Sequence, residues 1–427
     1  LAEAFGSMLP VGSKVYLSRD YHKSSRMLKR AFFSGMLSSG INVVDLKITP
    51  SNVVRFGIKE GKDVVAGVHF RQSIINQQNT EILFFTNEGL HIDTNTEKNC
   101  ERVFFRESFR RVNFDEIGEI SEKTNIKEKY KKALLKKVNI DVINAKKPKI
   151  AVDLSFGSTS DVYPEIVNAL NIDNIILNAY ADDKKLNKLP ATMQKSKDDL
   201  SKIVKHLEMD MAFLIYPNGQ KLEIICNDGE NTEPHITLLA VLKLLNLTSK
   251  DKKTKVLLPV SAPDFLDREL ENLSIERAKL TGAKASKLKE YDLVANLSGN
   301  FAFCDFAYSY DSIFASVKIL EMLCEANMKI GDVKASLKPF YFHYEKVPCS
   351  SGLKGKMMRK FMEASVGKEA SFVDGVKISI NKNSWILMLP DQHSDFLNIY
   401  IQAESMEAGE EIFNEYAAKI AEWIREK

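Results

Sequence analysis

Apolar positions along the chain fall into a recurring order. Residues 14–20 form an apolar run that closes on a polar loop. Residues 24–40 then carry Met27, Leu28, Ala31, Phe32, Met36 and Leu37 at helical spacing, and residues 41–46 form a second apolar run. Ser24 is the expected start of that helix and Gly40 its end. Strand, helix and strand with near-continuous apolar strands predict a parallel sheet covered on both faces. The same order returns at 149–180, and again, least regularly, at 254–280, where an apolar run, a Ser/Pro loop, a helix and a further strand are expected.

Two Lys-rich stretches separate these modules, at 122–149 and 246–255. The first offers Tyr130, Leu134, Leu135, Val138 and Ile140 for one face. It reads as a connecting helix with a solvated basic side, in preference to a phosphate-binding patch. From about Pro339 the pattern changes. Strand-like runs at 340–349, 376–389 and 398–405 alternate with helical stretches at 354–367 and 406–427. The last of these carries Ile412, Tyr416, Ile420, Trp423 and Ile424 on one face. This predicts a smaller α+β domain with an antiparallel sheet.

Composition narrows the function classes. The 427 residues suit several domains. A net charge of +3 gives no field for nucleic acid or anionic membrane. No apolar run approaches the length of a membrane span. Cys100, Cys226, Cys304, Cys324 and Cys349 are scattered without metal-ligand spacing, which points to reduced thiols and a cytoplasmic setting. Twenty glycines fall short of the usual share of about 7%, although loops that grip phosphate favour glycine so that backbone amides can approach.

The tandem modules, with RDYHKSSRMLKRAFFSG and the V-x-D-L strand near the start and DGVKI…WILML near the end, resemble the α-D-phosphohexomutase family of phosphomannomutases and phosphoglucomutases. The opening, with FFRESFRR and DEIGEIS after it, is similar to the mutase-like region of bacterial mannose-1-phosphate guanylyltransferase-like fusion proteins. The resemblance implies an α/β fold: three tandem mixed-sheet phosphohexomutase-type domains (1–135, 136–250 and 251–338) and a small α+β domain (339–427). It also implies a hexose phosphate ligand. An N-terminal nucleotidyltransferase domain in the same protein and a homo-oligomer are further expectations, the first suited by a start at Leu1 that reads as mid-chain sequence.

Family chemistry passes a phosphoryl group between a phosphoserine and a hexose phosphate, with Mg²⁺ held by three Asp. Each family loop can be matched to this chain. Ser73 falls at the nucleophile position, flanked by Arg71, Gln72, Ile74, Ile75 and Asn76, with His69 as a candidate base. Tyr216, Asn218 and Gln220 stand at the three metal-ligand positions and Lys221 at the family's Arg. One phenol and two amides supply no carboxylate, so no metal and no other cofactor are expected unless the chain is an active mutase, which would need Mg²⁺. Asn296, Ser298 and Asn300, in ANLSGN, match the sugar loop; Arg19 and Lys221 complete the candidate substrate contacts. At the phosphate loop, Leu389 and Asp391 replace Arg and Ser, and the segment carries no fixed cation. Asp391, His393 and Asp395 there are a weaker candidate metal cluster.

The main expectation is a catalytically degenerate mutase-like region of a sugar-nucleotide protein. The alternatives are an active phosphosugar mutase working through Ser73 and a non-catalytic sugar-phosphate sensor.

Overall fold

The computed structural model describes residues 1–73, 76, 78–122, 125–186, 189–249, 253–391 and 394–425. Four sheets follow one another along the chain. In the second, the spatial order is Asp173–Leu177, Lys149–Asp153, Met211–Ile215, Leu222–Ile225. The third repeats it with Leu273–Arg277, Thr254–Leu258, Leu293–Ala295 and Phe301–Phe303. The first has the same core, Asn42–Ile48, Lys14–Arg19, Val64–Gln72 and Thr80–Thr86, with Ile120–Glu122 added outside Asn42–Ile48. In all three the fourth strand runs antiparallel and the rest are parallel. The parallel strands are buried on both faces: Val15, Tyr16 and Leu17 are closed to solvent, as are Ile150, Ala151 and Val152.

The fourth sheet is antiparallel throughout, built from Tyr341–Pro348, Phe396–Ala403, Trp385–Pro390, Val376–Ser379 and Ala370–Ser371. The helix Met406–Arg425 covers it with Ile412, Tyr416, Ile420 and Trp423, while Ile424 lies at the rim.

Local departures from the sequence expectations have physical causes. The first long helix runs Lys23–Ser38 with His22 outside its start. Ser24 lies inside the helix and shares hydrogen bonds with His22 Nδ1 and Thr80 Oγ1, so it does not cap. Met27 is 58% exposed, whereas Phe32 and Met36 are buried. The Lys-rich connector is two helices, Ile126–Lys137 and Ile140–Lys146. Extended Val138 breaks it, and the Asn139 side chain then caps the second helix by accepting from Val142 N at 3.3 Å. Part of the second Lys-rich stretch, Lys250–Lys252, lies outside the described residues. In the third module the expected helix shrinks to one turn, Asp267–Glu269. Its acidic residues are drawn elsewhere: Asp267 pairs with both Arg277 terminal nitrogens, and Asp264 accepts from Lys377, Trp385 and Gln402 of the fourth sheet.

One buried carboxylate ties the third module to the first and to the connector. Asp311, 2% exposed, precedes the helix Ser312–Ala326 and accepts from Ile313 N and Phe314 N at 3.1 Å each. It also accepts from Asn52 Nδ2 at 2.7 Å and from the connector's Tyr130 hydroxyl at 2.8 Å. Beside it Ser312 N donates to Gly219 O at 3.0 Å, and Ser51 Oγ donates to Asn218 O at 3.1 Å. Burial pushes the Asp311 carboxyl upward in pKa, and its four donors oppose that. Asp311→Ala removes a cap and orphans two buried donors, and is expected to cost about 2–4 kcal/mol. A thermal midpoint unchanged from the parent would show that the carboxylate does not hold the junction.

Candidate functional site

Parallel strands leave their carboxyl ends and the loops after them at one edge of each sheet, where ligands bind in open α/β folds. Here the loops of the first and second sheets meet. They enclose a cavity of about 30 Å³ lined by Asp20, His69, Arg71, Ser73, Ser158 and Asn218, among others. That is the room one water needs. Across one side, Tyr21 hydrogen-bonds Asp161, which also pairs with Lys127 at 2.7 Å.

Ser73 lies just past Val64–Gln72 and is buried. Its hydroxyl donates to Glu81 Oε1 at 2.7 Å. Arg71 and Glu81 are directly opposed across the Val64–Gln72 and Thr80–Thr86 pair, with Arg71 Nε on Glu81 Oε2 at 2.7 Å. Arg71 Nη1 is buried and has no partner among the described residues. Ile74 and Ile75 lie outside the described residues.

His69 is not the group that faces Ser73. Register pairs it with Ser18, whose Oγ is 2.8 Å from its Nδ1. Burial, with Arg71 and Lys29 nearby, pushes its pKa down to about 3, so the ring is neutral at pH 7. Asp20 and Glu81 were not visible as site residues in the sequence. Asp20 accepts from Gln72 N at 2.7 Å and His22 N at 2.9 Å, tying together the loops after two neighbouring strands. Burial raises its carboxyl pKa. A lone acid within TEILFFT carries no motif; only strand pairing aims Glu81 at Ser73. Arg19, expected at the substrate, donates instead to the Asp20 carbonyl at 2.7 Å and does not line the cavity.

The residues at the metal-ligand positions do not fit Mg²⁺. The Tyr216 hydroxyl donates to Glu223 Oε1 at 2.7 Å. Asn218 Oδ1 accepts from Gln220 N at 3.0 Å, and the Gln220 amide lies 3.5 Å from Ser51 Oγ. Lys221 Nζ sits 2.7 Å from Glu223, which Lys197 also pairs at 2.6 Å. The loop thus offers neutral donors and ammonium groups where a hard cation needs carboxylates. Among the described residues no three His, Cys, Asp or Glu side chains gather as a metal site.

In the sugar-loop match, Asn296 Oδ1 accepts from Ser298 N at 2.9 Å and Asn300 N at 3.4 Å, so it shapes the turn. Ser298 is exposed, and Asn300 Oδ1 is buried without a partner. Lys221, expected to contact substrate, is held by Glu223 and the Tyr216 hydroxyl. At the phosphate-loop match the sequence suggests no fixed cation, but the fold supplies one. Lys354 Nζ donates to Asp391 O at 2.7 Å and Ser394 O at 2.6 Å, from a helix far away in sequence. Asp395 accepts from Ser351 N and Oγ at the start of that helix, and Asp391 from Ser394 N. The two carboxylates therefore serve separate turns, and His393 lies outside the described residues. All five cysteines are buried free thiols.

Comparison with known proteins agrees with the architecture. Residues 1–111 match the family described as phosphoglucomutase/phosphomannomutase, alpha/beta/alpha domain I. A probable phosphoglucosamine mutase of Pyrococcus abyssi is 26% identical over 97% of this chain and 91% of its own length. The phosphoglucosamine mutase of Methanocaldococcus jannaschii is 24% identical over 93% and 90%. Among solved structures, a phosphoglucomutase/phosphomannomutase family protein from Burkholderia thailandensis superposes with TM-score 0.85 at 18% identity, over all of this chain and 93% of its own. An N-acetylphosphoglucosamine mutase of Aspergillus fumigatus, in complex with GlcNAc-6P and magnesium, gives TM-score 0.56 at 12% identity, over 96% and 77%. These likenesses are to mutases and lend no support to the expected guanylyltransferase fusion.

Buried neutral His69 makes stability depend on pH in a defined window. An unfolded imidazole gains its proton near pH 6.5, whereas the folded one resists it to about 3. The stability is therefore complete above about pH 6.5 and falls as pH drops toward 3, by up to about 1.4 kcal/mol per unit. Denaturant titrations between pH 7 and 5 should show a shallower loss in His69→Gln; equal slopes would mean that His69 titrates freely.

Proposed function

We propose that this chain, a member of the α-D-phosphohexomutase family, is a phosphosugar mutase whose phosphoryl carrier is Ser73. The observation that carries the reading is local: within the matched first domain, the Ser73 hydroxyl donates to a carboxylate at 2.7 Å beside a guanidinium. A serine activated by a neighbouring base is what phosphoryl capture requires. The substrate class is a hexose phosphate, and the names of the Pyrococcus and Methanocaldococcus relatives favour an amino-hexose phosphate. Buried free thiols support a reducing compartment.

No Mg²⁺ step enters this reading, because the donors at Tyr216, Asn218 and Gln220 do not suit the ion. Positive charge for the transferring group comes instead from Arg71. The same loop favours a second reading, a family member that binds a hexose phosphate without turnover.

Incubating the protein with a hexose 1,6-bisphosphate, followed by intact-mass and peptide analysis, separates the two. The mutase reading expects one added phosphoryl group on Ser73, none on Ser73→Ala, and interconversion of hexose 1- and 6-phosphates. A thermal midpoint raised by hexose phosphate, with neither phosphoserine nor turnover, would leave only the binding protein.

A further inference from the structure

The mutase reading leaves open what takes the proton from Ser73 and what replaces the missing metal charge. We infer that Glu81 is the general base for Ser73 and that Arg71 Nη1 is the seat for an oxygen of the transferred phosphoryl group; this rests on the proposed mutase activity. Three observations converge. Glu81 Oε1 already accepts the Ser73 hydroxyl at 2.7 Å, within the reach a proton transfer needs. Its other oxygen is fixed by Arg71 Nε at 2.7 Å, so the acceptor is oriented before substrate arrives. And Arg71 lines the cavity beside Ser73 with Nη1 buried and, among the described residues, unpartnered. An unpaired guanidinium nitrogen out of water is costly, and an incoming oxyanion would satisfy it.

The base expected from the sequence, His69, has its Nδ1 engaged with Ser18, whereas the Ser73 hydroxyl is already donated to Glu81. Strand pairing makes the arrangement rigid, because Arg71 and Glu81 are cross-strand neighbours and Ser73 follows two residues after Arg71 on an extended segment.

The step balances as follows. Ser73 Oγ attacks the phosphorus of a hexose bisphosphate, the Oγ–P bond forms and the sugar O–P bond breaks. The hydroxyl proton passes to Glu81 Oε1, and the departing sugar oxygen takes a proton from water in the opened cleft. In the return direction Glu81 hands its proton back to the Ser73 oxygen as the phosphoryl group leaves for the next sugar hydroxyl, whose own proton neutralises the hydroxide left when water protonated the first sugar oxygen. A phosphoserine dianion beside Glu81 would repel its carboxylate, so a protonated Glu81 after transfer also relieves like-charge contact.

The test follows the rate of phosphoryl incorporation from hexose 1,6-bisphosphate, by intact mass, in the parent, Glu81→Gln, Glu81→Asp, Arg71→Lys and Ser73→Ala. Glu81→Gln keeps the shape but cannot take a proton. It should slow incorporation by about 100-fold or more and flatten the fall in rate toward low pH. Glu81→Asp, which keeps the charge, should recover part of the rate. Arg71→Lys should weaken bisphosphate binding more than Glu81→Gln does. Parent-like incorporation and pH profile in Glu81→Gln, alongside an inert Ser73→Ala, would overturn the role of Glu81 while leaving the mutase reading intact. Absence of incorporation in the parent would overturn both. A Glu81→Gln protein with a collapsed melting transition hands the decision to Glu81→Asp, whose failure to exceed Ser73→Ala would count against the base.

Discussion

The buried carboxylate of Asp311 is the constraint on which the cleft depends. An isolated ion at that depth would be strongly disfavoured. It is tolerated because donors from three parts of the chain converge on it: Asn52 from the first domain, Tyr130 from the connector, and the first amides of its own helix. One of those elements borders the cavity directly. Asn52 follows Ser51, which lines the Ser73 cavity and bonds the Asn218 carbonyl. The helix that Asp311 caps also holds Gly219 O through Ser312 N. Desolvation thus ties the third module to the first and to the connector, behind the cavity that the loops of the first two sheets enclose.

The loop that holds Tyr216, Asn218 and Gln220 is part of that junction. Its polar atoms bind one another, Ser51 and Glu223 rather than face outward. Its surviving glycine has a steric reason. Gly219 has φ +68°, and a Cβ there would come within 2.7 Å of Asn52 Oδ1. Gly299 is held similarly: at φ +79° a Cβ would meet the Leu222 carbonyl oxygen at 2.2 Å. The few glycines left in these loops serve close approach between domains, which any ligand-gripping role would not by itself require.

Charge is handled differently at the nucleophile. Near Ser73 the chain keeps a compact ion pair, Arg71 with Glu81, and a guanidinium nitrogen without a partner. That is a site with spare donor capacity, unlike the closed polar network around Tyr216. The contrast is between an ion pair with an open donor on the first domain and a closed network on the second.

The sequence by itself determined the order of modules, the switch to an antiparallel last sheet, and the neutral side chains of Tyr216, Asn218 and Gln220. These follow from period, residue type and position, which are local properties. It did not reveal Glu81, the Lys354 ammonium at the last loop, or the engagement of His69 with Ser18, because each depends on partners far apart in sequence or on strand register. It also overstated the third module's helix, whose acids are recruited by Arg277 and by the fourth sheet. Residue chemistry is written one position at a time. Which donor meets which acceptor is set by the packing of sheets and the cost of leaving a buried charge unpaired, and only the tertiary structure decides that.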